Sequence, residues 1–230
     1  MDNAICTQQY TDEQAEVIER TERYVRETLE KDSSGHDWWH IHRVRNNALH
    51  IVQEEKEGCS RYVVELAALL HDIADWKFHQ GDAKIGSKTA RQWLEKQHVD
   101  QSLIEQVCDI IDSSSYKGAG VADKMATLEG KIVQDADRLD ALGAIGIART
   151  FAYGGHANRA MYDPDVKPTM HASFEEYKNS KGHTVNHFYE KLLLLKDRLH
   201  TDAARRIAQK RHVVMEQFLE QFFAEWDGRM

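Results

Sequence analysis

Along most of the chain, apolar residues recur every three to four positions, the repeat that gathers them on one side of a helix. Val17, Tyr24, Val25 and Leu29 fall in this phase within residues 13–29, and Ile41, Val44, Ala48 and Ile51 within residues 38–56. Asp37 stands where the second of these helices needs an acceptor for its first free N–H groups, and Gly58 where it should close. Residues 60–72 are apolar almost throughout, which predicts the most deeply buried helix, ending on the pair His71-Asp72. Further helices are predicted over residues 83–97, 100–111, 122–139 and 141–153. The last of these carries Gly143 and Gly146 for close packing and is stopped by Gly154-Gly155. Residues 173–178 read as a turn of helix and 184–199 as a longer one. Residues 201–226 read as a long amphipathic helix with Ile207, Val214, Phe218 and Phe222 facing inward. No stretch alternates convincingly as a strand.

Composition sharpens this into an all-α, helical-bundle reading. Pro164 and Pro168 are the only two prolines and sit together, so nothing breaks a helix elsewhere. With 41% apolar and 30% charged residues, the chain has material for a core and is not a disordered polymer. Its 230 residues are expected to form a single domain, with a metal-site core at about 35–145 and a helical extension at about 170–228. No apolar run approaches the roughly 20 residues of a membrane span, and the first residues do not read as a secretory signal. A cytoplasmic location without membrane partners is expected. Cys6, Cys59 and Cys108 show no CxxC spacing, against a disulfide framework or structural zinc. A net charge of −8 is the wrong sign for a nucleic-acid binder, so a small substrate is expected. The long last helix offers a face for a homodimer, although packing on its own domain explains that face equally well.

Candidate chemistry lies in three segments, 35–44, 69–75 and 133–140, each at one end of an apolar helix. They hold His36, His40 and His42, then His71, Asp72 and Asp75, and finally Asp135, Asp137 and Asp140. Imidazoles and carboxylates gathered in an apolar setting are costly unless a cation joins them, and this donor mixture suits a first-row divalent metal better than calcium. Such a site, open on one side, supports hydrolysis by an acidified water. Spacing leaves open which histidine and which aspartate complete the site.

The ordered pattern of an early His, a His-Asp pair and a later Asp resembles the HD-domain superfamily of metal-dependent phosphohydrolases. The segments His36-Asp-Trp-Trp-His40, Leu70-His-Asp-Ile-Ala-Asp75, 135–146 and 186–192 look like its bacterial YpgQ/YedJ-like branch. The resemblance spans nearly the whole chain. It implies His40, His71, Asp72 and Asp137 as ligands of one divalent ion, manganese foremost, with nickel, iron, zinc, cobalt and magnesium as alternatives. It also implies Asp75 as the group that orients or deprotonates the attacking water. Arg43, Lys77 and Arg138, adjacent in sequence, are candidate phosphate contacts, and His187 and Lys191, four residues apart, are candidates to close the pocket. The implied activity is hydrolysis of a nucleotide, foremost release of pyrophosphate from nucleoside triphosphates. The alternatives are a nucleoside monophosphate phosphatase and a noncatalytic nucleotide or metal sensor. Trp38 and Trp39 are expected to pack the core, with base stacking as the alternative for one of them. The stretch 112–115, Asp-Ser-Ser-Ser, lacks the extra histidine of two-metal relatives, which implies a single metal.

Overall fold

Thr11 starts the first helix: its Oγ1 accepts from the Gln14 amide at 3.1 Å while the Gln14 side chain accepts from the Thr11 amide at 3.2 Å, a reciprocal capping box. The computed structural model describes residues 9–30, 37–55, 58–74, 82, 84–114, 125–170 and 182–229. Among these, every regular element is helical. No helix of the described residues is long and apolar enough to cross a membrane. The chain divides into two compact units, one of residues 1–116 with 123–137 and one of residues 117–122 with 138–230.

The first unit contains α1 (Asp12–Leu29), α2 (Trp38–Glu54), α3 (Arg61–Leu70), α4 (Ile85–Lys96), α5 (Gln101–Ser114) and most of α6 (Leu128–Asp140). Helix α3 packs against α1, α2 and α5, and α4 against α5. Every residue of α3 from Tyr62 to Leu70 is buried, as its unbroken apolar run predicts, and the predicted inward residues of α2 are fully buried. Tyr24 of α1 stacks on Trp93 of α4 at 4.0 Å, and the Trp93 indole N–H donates to Thr21 at 2.9 Å.

One charge lies inside this apolar layer. Glu65 is buried, and Arg45 Nε donates to its Oε1 at 2.7 Å while Arg45 Nη1 reaches Glu22 at 2.9 Å. The Tyr10 hydroxyl donates to the other Glu65 oxygen, Oε2, and accepts from Arg61 Nε at 3.1 Å. Burial and the Glu65 carboxylate push the Tyr10 phenol well above its ordinary value, so it stays a donor.

The second unit contains α7 (Gly143–His156), α8 (Asn186–Glu190), a 3₁₀ helix (Leu192–Arg198) and α9 (Asp202–Trp226). Helix α9 packs on α7 through Phe151, Phe218 and Phe222, whose ring centroids lie 5.8–6.4 Å apart. The proline-containing loop is held from both sides. Thr184 N–H donates to the Ala160 carbonyl at 2.9 Å, and the Val166 carbonyl accepts from His183 Nε2 at 3.1 Å and Asn186 Nδ2 at 3.2 Å.

Several predicted elements differ from those observed. Helix α6 begins at Leu128, because Thr127 caps it through the Gly130 amide at 3.1 Å. The helix predicted over 184–199 is broken at Lys191, whose φ of −142° and ψ of −61° end α8, and the chain tightens into a 3₁₀ helix. The turn predicted at 173–178 lies outside the described residues. Val214 is 42% exposed, and the buried stripe of α9 runs instead through Ala204, Ala208, His212, Met215 and Leu219. That stripe fixes the helix rotation one residue out of phase with Val214.

Gly154 does not stop α7, which continues to His156. Its role is close approach: a Cβ there would meet Thr184 Oγ1 at 2.2 Å. Thr184 cannot simply rotate away without loss, since Oγ1 donates to the Ala160 carbonyl at 3.0 Å. Gly154→Ala should therefore destabilise the protein by about 1–3 kcal/mol, the usual cost of overpacking. Pairing it with Thr184→Ala should recover most of the loss in thermal unfolding. Equal stability of the single variant and wild type would refute this packing role.

Candidate metal centre

Four side chains meet in the first unit, each at the end of a helix. His40 lies in the first turn of α2, with its amide held by Asp37 Oδ1 at 2.9 Å. His71 caps the C-terminus of α3, Asp72 follows in the turn, and Asp137 is in the last turn of α6. Helix α3 ends at Leu70, and the His71 backbone still has helical angles, φ −60° and ψ −30°, so the His71-Asp72 pair spans the junction of helix and turn. The C-terminal ends of α3 and α6 also carry partial negative charge, which favours a cation nearby.

His40 Nε2 lies 3.3 Å from His71 Nε2, 3.5 Å from Asp72 Oδ2 and 3.5 Å from Asp137 Oδ1. His71 Nε2 lies 3.7 Å from Asp72 Oδ2 and 3.9 Å from Asp137 Oδ1. Donors bonded to one ion at about 2.1 Å stand roughly 3–4 Å apart, so these spacings fit. His40, His71 and Asp72 could form a metal site. The tautomer of His71 fits as well: its Nδ1 faces the Ala68 carbonyl at 2.9 Å. A carbonyl only accepts, so the proton sits on Nδ1 and the Nε2 lone pair is presented to the cluster, the arrangement metal-bound histidines adopt. Both imidazoles are nearly inaccessible, at 1% and 3%, whereas the Asp72 and Asp137 side chains are 31% and 36% exposed. The cluster is closed behind the nitrogens and open at the carboxylates.

The alternatives left open by spacing separate here. His42 turns to Asn46, with Asn46 Nδ2 3.0 Å from its Nε2. Asp140 pairs with Arg149 at 2.9 Å. Asp135 is fully buried within α6. His36, Asp75 and Lys77 lie outside the described residues. Arg43 is on α2 three residues after His40, on the same side of the helix. Arg138 is buried and gives Nη1 to the Arg198 carbonyl, so one of its donors is committed to the main chain. His187 and Lys191 belong to α8 and its cap, within the second unit, and Lys191 N–H donates to the His187 carbonyl at 3.0 Å. Burial, with the charges of Lys191 and Arg159, pushes His187 down to about 3, so its imidazole is neutral at ordinary pH.

A supporting residue escaped the sequence reading. Asn47, seven residues after His40 and so on the same face of α2, donates from Nδ2 to the Ala136 carbonyl at 3.3 Å. That bond ties α2 to the turn that carries Asp137. Its signal in the sequence was the two-turn spacing from His40.

Residues 39–142, which contain all four side chains, match the HD domain family. YpgQ of Bacillus subtilis is 36% identical over 211 residues, covering 91% of this chain and 94% of that protein. The chain belongs to the HD-domain superfamily. Solved structures resemble it over nearly its full length. An HD-superfamily hydrolase of Bacillus thuringiensis is 47% identical, covers 93% of this chain and 98% of its own, and superposes with a TM-score of 0.70. A protein of Lactobacillus plantarum is 35% identical and reaches a TM-score of 0.81 over 96% of this chain and 100% of its own. B. subtilis YpgQ in complex with ADP superposes with a TM-score of 0.72 and 30% identity, over 93% of this chain and 96% of that one. HD-domain proteins bind divalent metals, and the family match with the likeness to an HD-superfamily hydrolase makes this chain an HD-superfamily hydrolase.

Proposed function

We propose that this chain is a metal-dependent nucleotide hydrolase that releases pyrophosphate from nucleoside triphosphates, with one divalent ion held by His40, His71, Asp72 and Asp137. The observation that carries the reading is the set of donor atoms spaced 3.3–3.9 Å apart, closed behind the imidazoles and open at the carboxylates. The nucleotide class is supported by the ADP complex of YpgQ. An ion bound here supplies Lewis acidity toward a phosphoryl oxygen and the attacking water. Manganese is the proposed ion on the strength of the family resemblance, and mixed imidazole and carboxylate donors admit it among the first-row metals.

The chain's own groups do the rest. The Ala68 carbonyl holds the His71 ring in one tautomer, and Asn47 holds the α6 turn that presents Asp137. Asp75, three residues after Asp72, takes the proton of the water as its oxygen attacks the α-phosphorus. The bond from that phosphorus to the bridging oxygen breaks, and pyrophosphate leaves with the negative charge. Arg43 contacts the phosphate oxygens, and Lys77 is the further candidate for the same task.

The test uses protein stripped by chelator and resupplied with manganese, assayed for phosphate and pyrophosphate on nucleoside mono- and triphosphates. Pyrophosphate should form from triphosphates only when the metal is restored. Phosphate from monophosphates alone would replace this reading with a phosphatase, and nucleotide binding without either product would replace it with a sensor.

A further inference from the structure

Trp39 is 57% exposed, although its neighbour Trp38 is buried in the core. The expectation that both tryptophans pack inward therefore holds for Trp38 only. An exposed indole offers a broad aromatic face with a polar edge, the kind of surface on which a ligand or partner can stack. Its position on α2 decides between these roles. At about 100° per residue, Arg43 lies about 60° from His40 around the helix axis, and Trp39 about 100° in the same direction. The imidazole of the metal cluster, a guanidinium and an open indole thus follow one another around one turn.

The indole is also held in place. The His42 ring stands edge-on to Trp39, with centroids 5.8 Å apart and planes at 82°, and makes a second contact with Trp38 at 5.8 Å. Asn46 fixes that imidazole through its Nδ2, 3.0 Å from His42 Nε2. A rigid aromatic platform loses little freedom when a flat group stacks on it.

We infer that Trp39 is the stacking platform for the nucleobase of the substrate, a specificity-determining residue set beside Arg43 and His40. The inference rests on the nucleotide reading above. Only the ribose separates a base from the phosphate nearest to it, so a base reaching Trp39 leaves its phosphates toward Arg43 and the carboxylates. Stacking is indifferent to hydrogen-bonding edges, so the platform should favour the larger purine surface over pyrimidines without choosing between adenine and guanine.

Two measurements on the full chain test this. In titrations followed by tryptophan fluorescence, ADP should quench wild type and inorganic pyrophosphate should not, and Trp39→Ala should lose the ADP-dependent quenching. In turnover, Trp39→Ala should raise KM for ATP by roughly 10- to 100-fold, the share of affinity a stacked base contributes. KM for inorganic tripolyphosphate, which has no base, should stay in place, and Trp39→Phe should recover most of the loss for ATP. Equal KM for ATP in wild type and Trp39→Ala, or unchanged quenching, overturns the platform while leaving the hydrolase intact. If wild type hydrolyses no nucleotide, the functional reading fails instead, and ADP quenching still decides the role of Trp39. A change in sedimentation of Trp39→Ala without any nucleotide effect would assign the indole to a contact between copies and overturn the inference.

Discussion

His71→Ala is expected to abolish stoichiometric manganese binding and to lower turnover by more than about 100-fold. Changing groups that merely support a metal ligand already costs 10- to 100-fold, and His71 is proposed as a ligand itself. The loss should come from the site and not from unfolding. The His71 ring fills a small space at the end of α3, whereas the fully buried layer of Val63, Val64, Leu66 and Leu69 is untouched. Metal content after dialysis against manganese, read beside circular dichroism, separates the two causes. Asp72→Asn keeps the shape and removes one negative charge, so it should weaken metal binding at unchanged helicity. A His71→Ala protein that retains metal and full turnover would remove the cluster from the mechanism.

The largest expected effect on stability is at Arg45. Its guanidinium meets Glu65 Oε1 with two donors and Glu22 with a third, and the Glu65 side chain is only 2% exposed. Removing one partner of a buried pair leaves the other charge without compensation, at a cost of about 3–5 kcal/mol. Arg45→Met should therefore lower the thermal midpoint by several degrees. The triple variant Tyr10→Phe, Arg45→Met and Glu65→Leu should recover most of that loss, because an apolar replacement of the whole network leaves no buried charge behind. Unfolding followed by calorimetry checks both. A single variant as stable as wild type would show that the network contributes nothing to stability.

What could be read from the sequence follows from how local each cause is. The inward faces of α2 and α3 and the cap at Asp37 depend on neighbours within a turn or two, and all appear where the pattern puts them. The family resemblance picked His40 from three histidines and Asp137 from three aspartates, and the geometry gathers those same two with His71. Failures occur where a distant group decides. Gly154 reads as a stop because glycine often ends helices, yet its place is set by Thr184, thirty residues away in the chain. Val214 fits the helical repeat and still faces solvent, because the neighbours of α9 choose which side is covered. The break at Lys191 has no glycine or proline to announce it. Glu65, a lone charge in the run Tyr62–Leu70, was a visible anomaly whose partner Tyr10 lies 55 residues back.

That last pairing separates two boundaries that are easily taken as one. Helix α1 is complete from its cap at Thr11 onward, so a shortened chain starting at Thr11 would preserve every helix described above. It would also strip the hydroxyl donor from Glu65 Oε2 and the ring that lies edge-on to Tyr62 at 6.1 Å. The helical content of such a trimmed protein would look normal while its resistance to heat and proteases declined. The buried network of the first unit includes a residue that precedes its first helix, and an engineered start site belongs upstream of Tyr10.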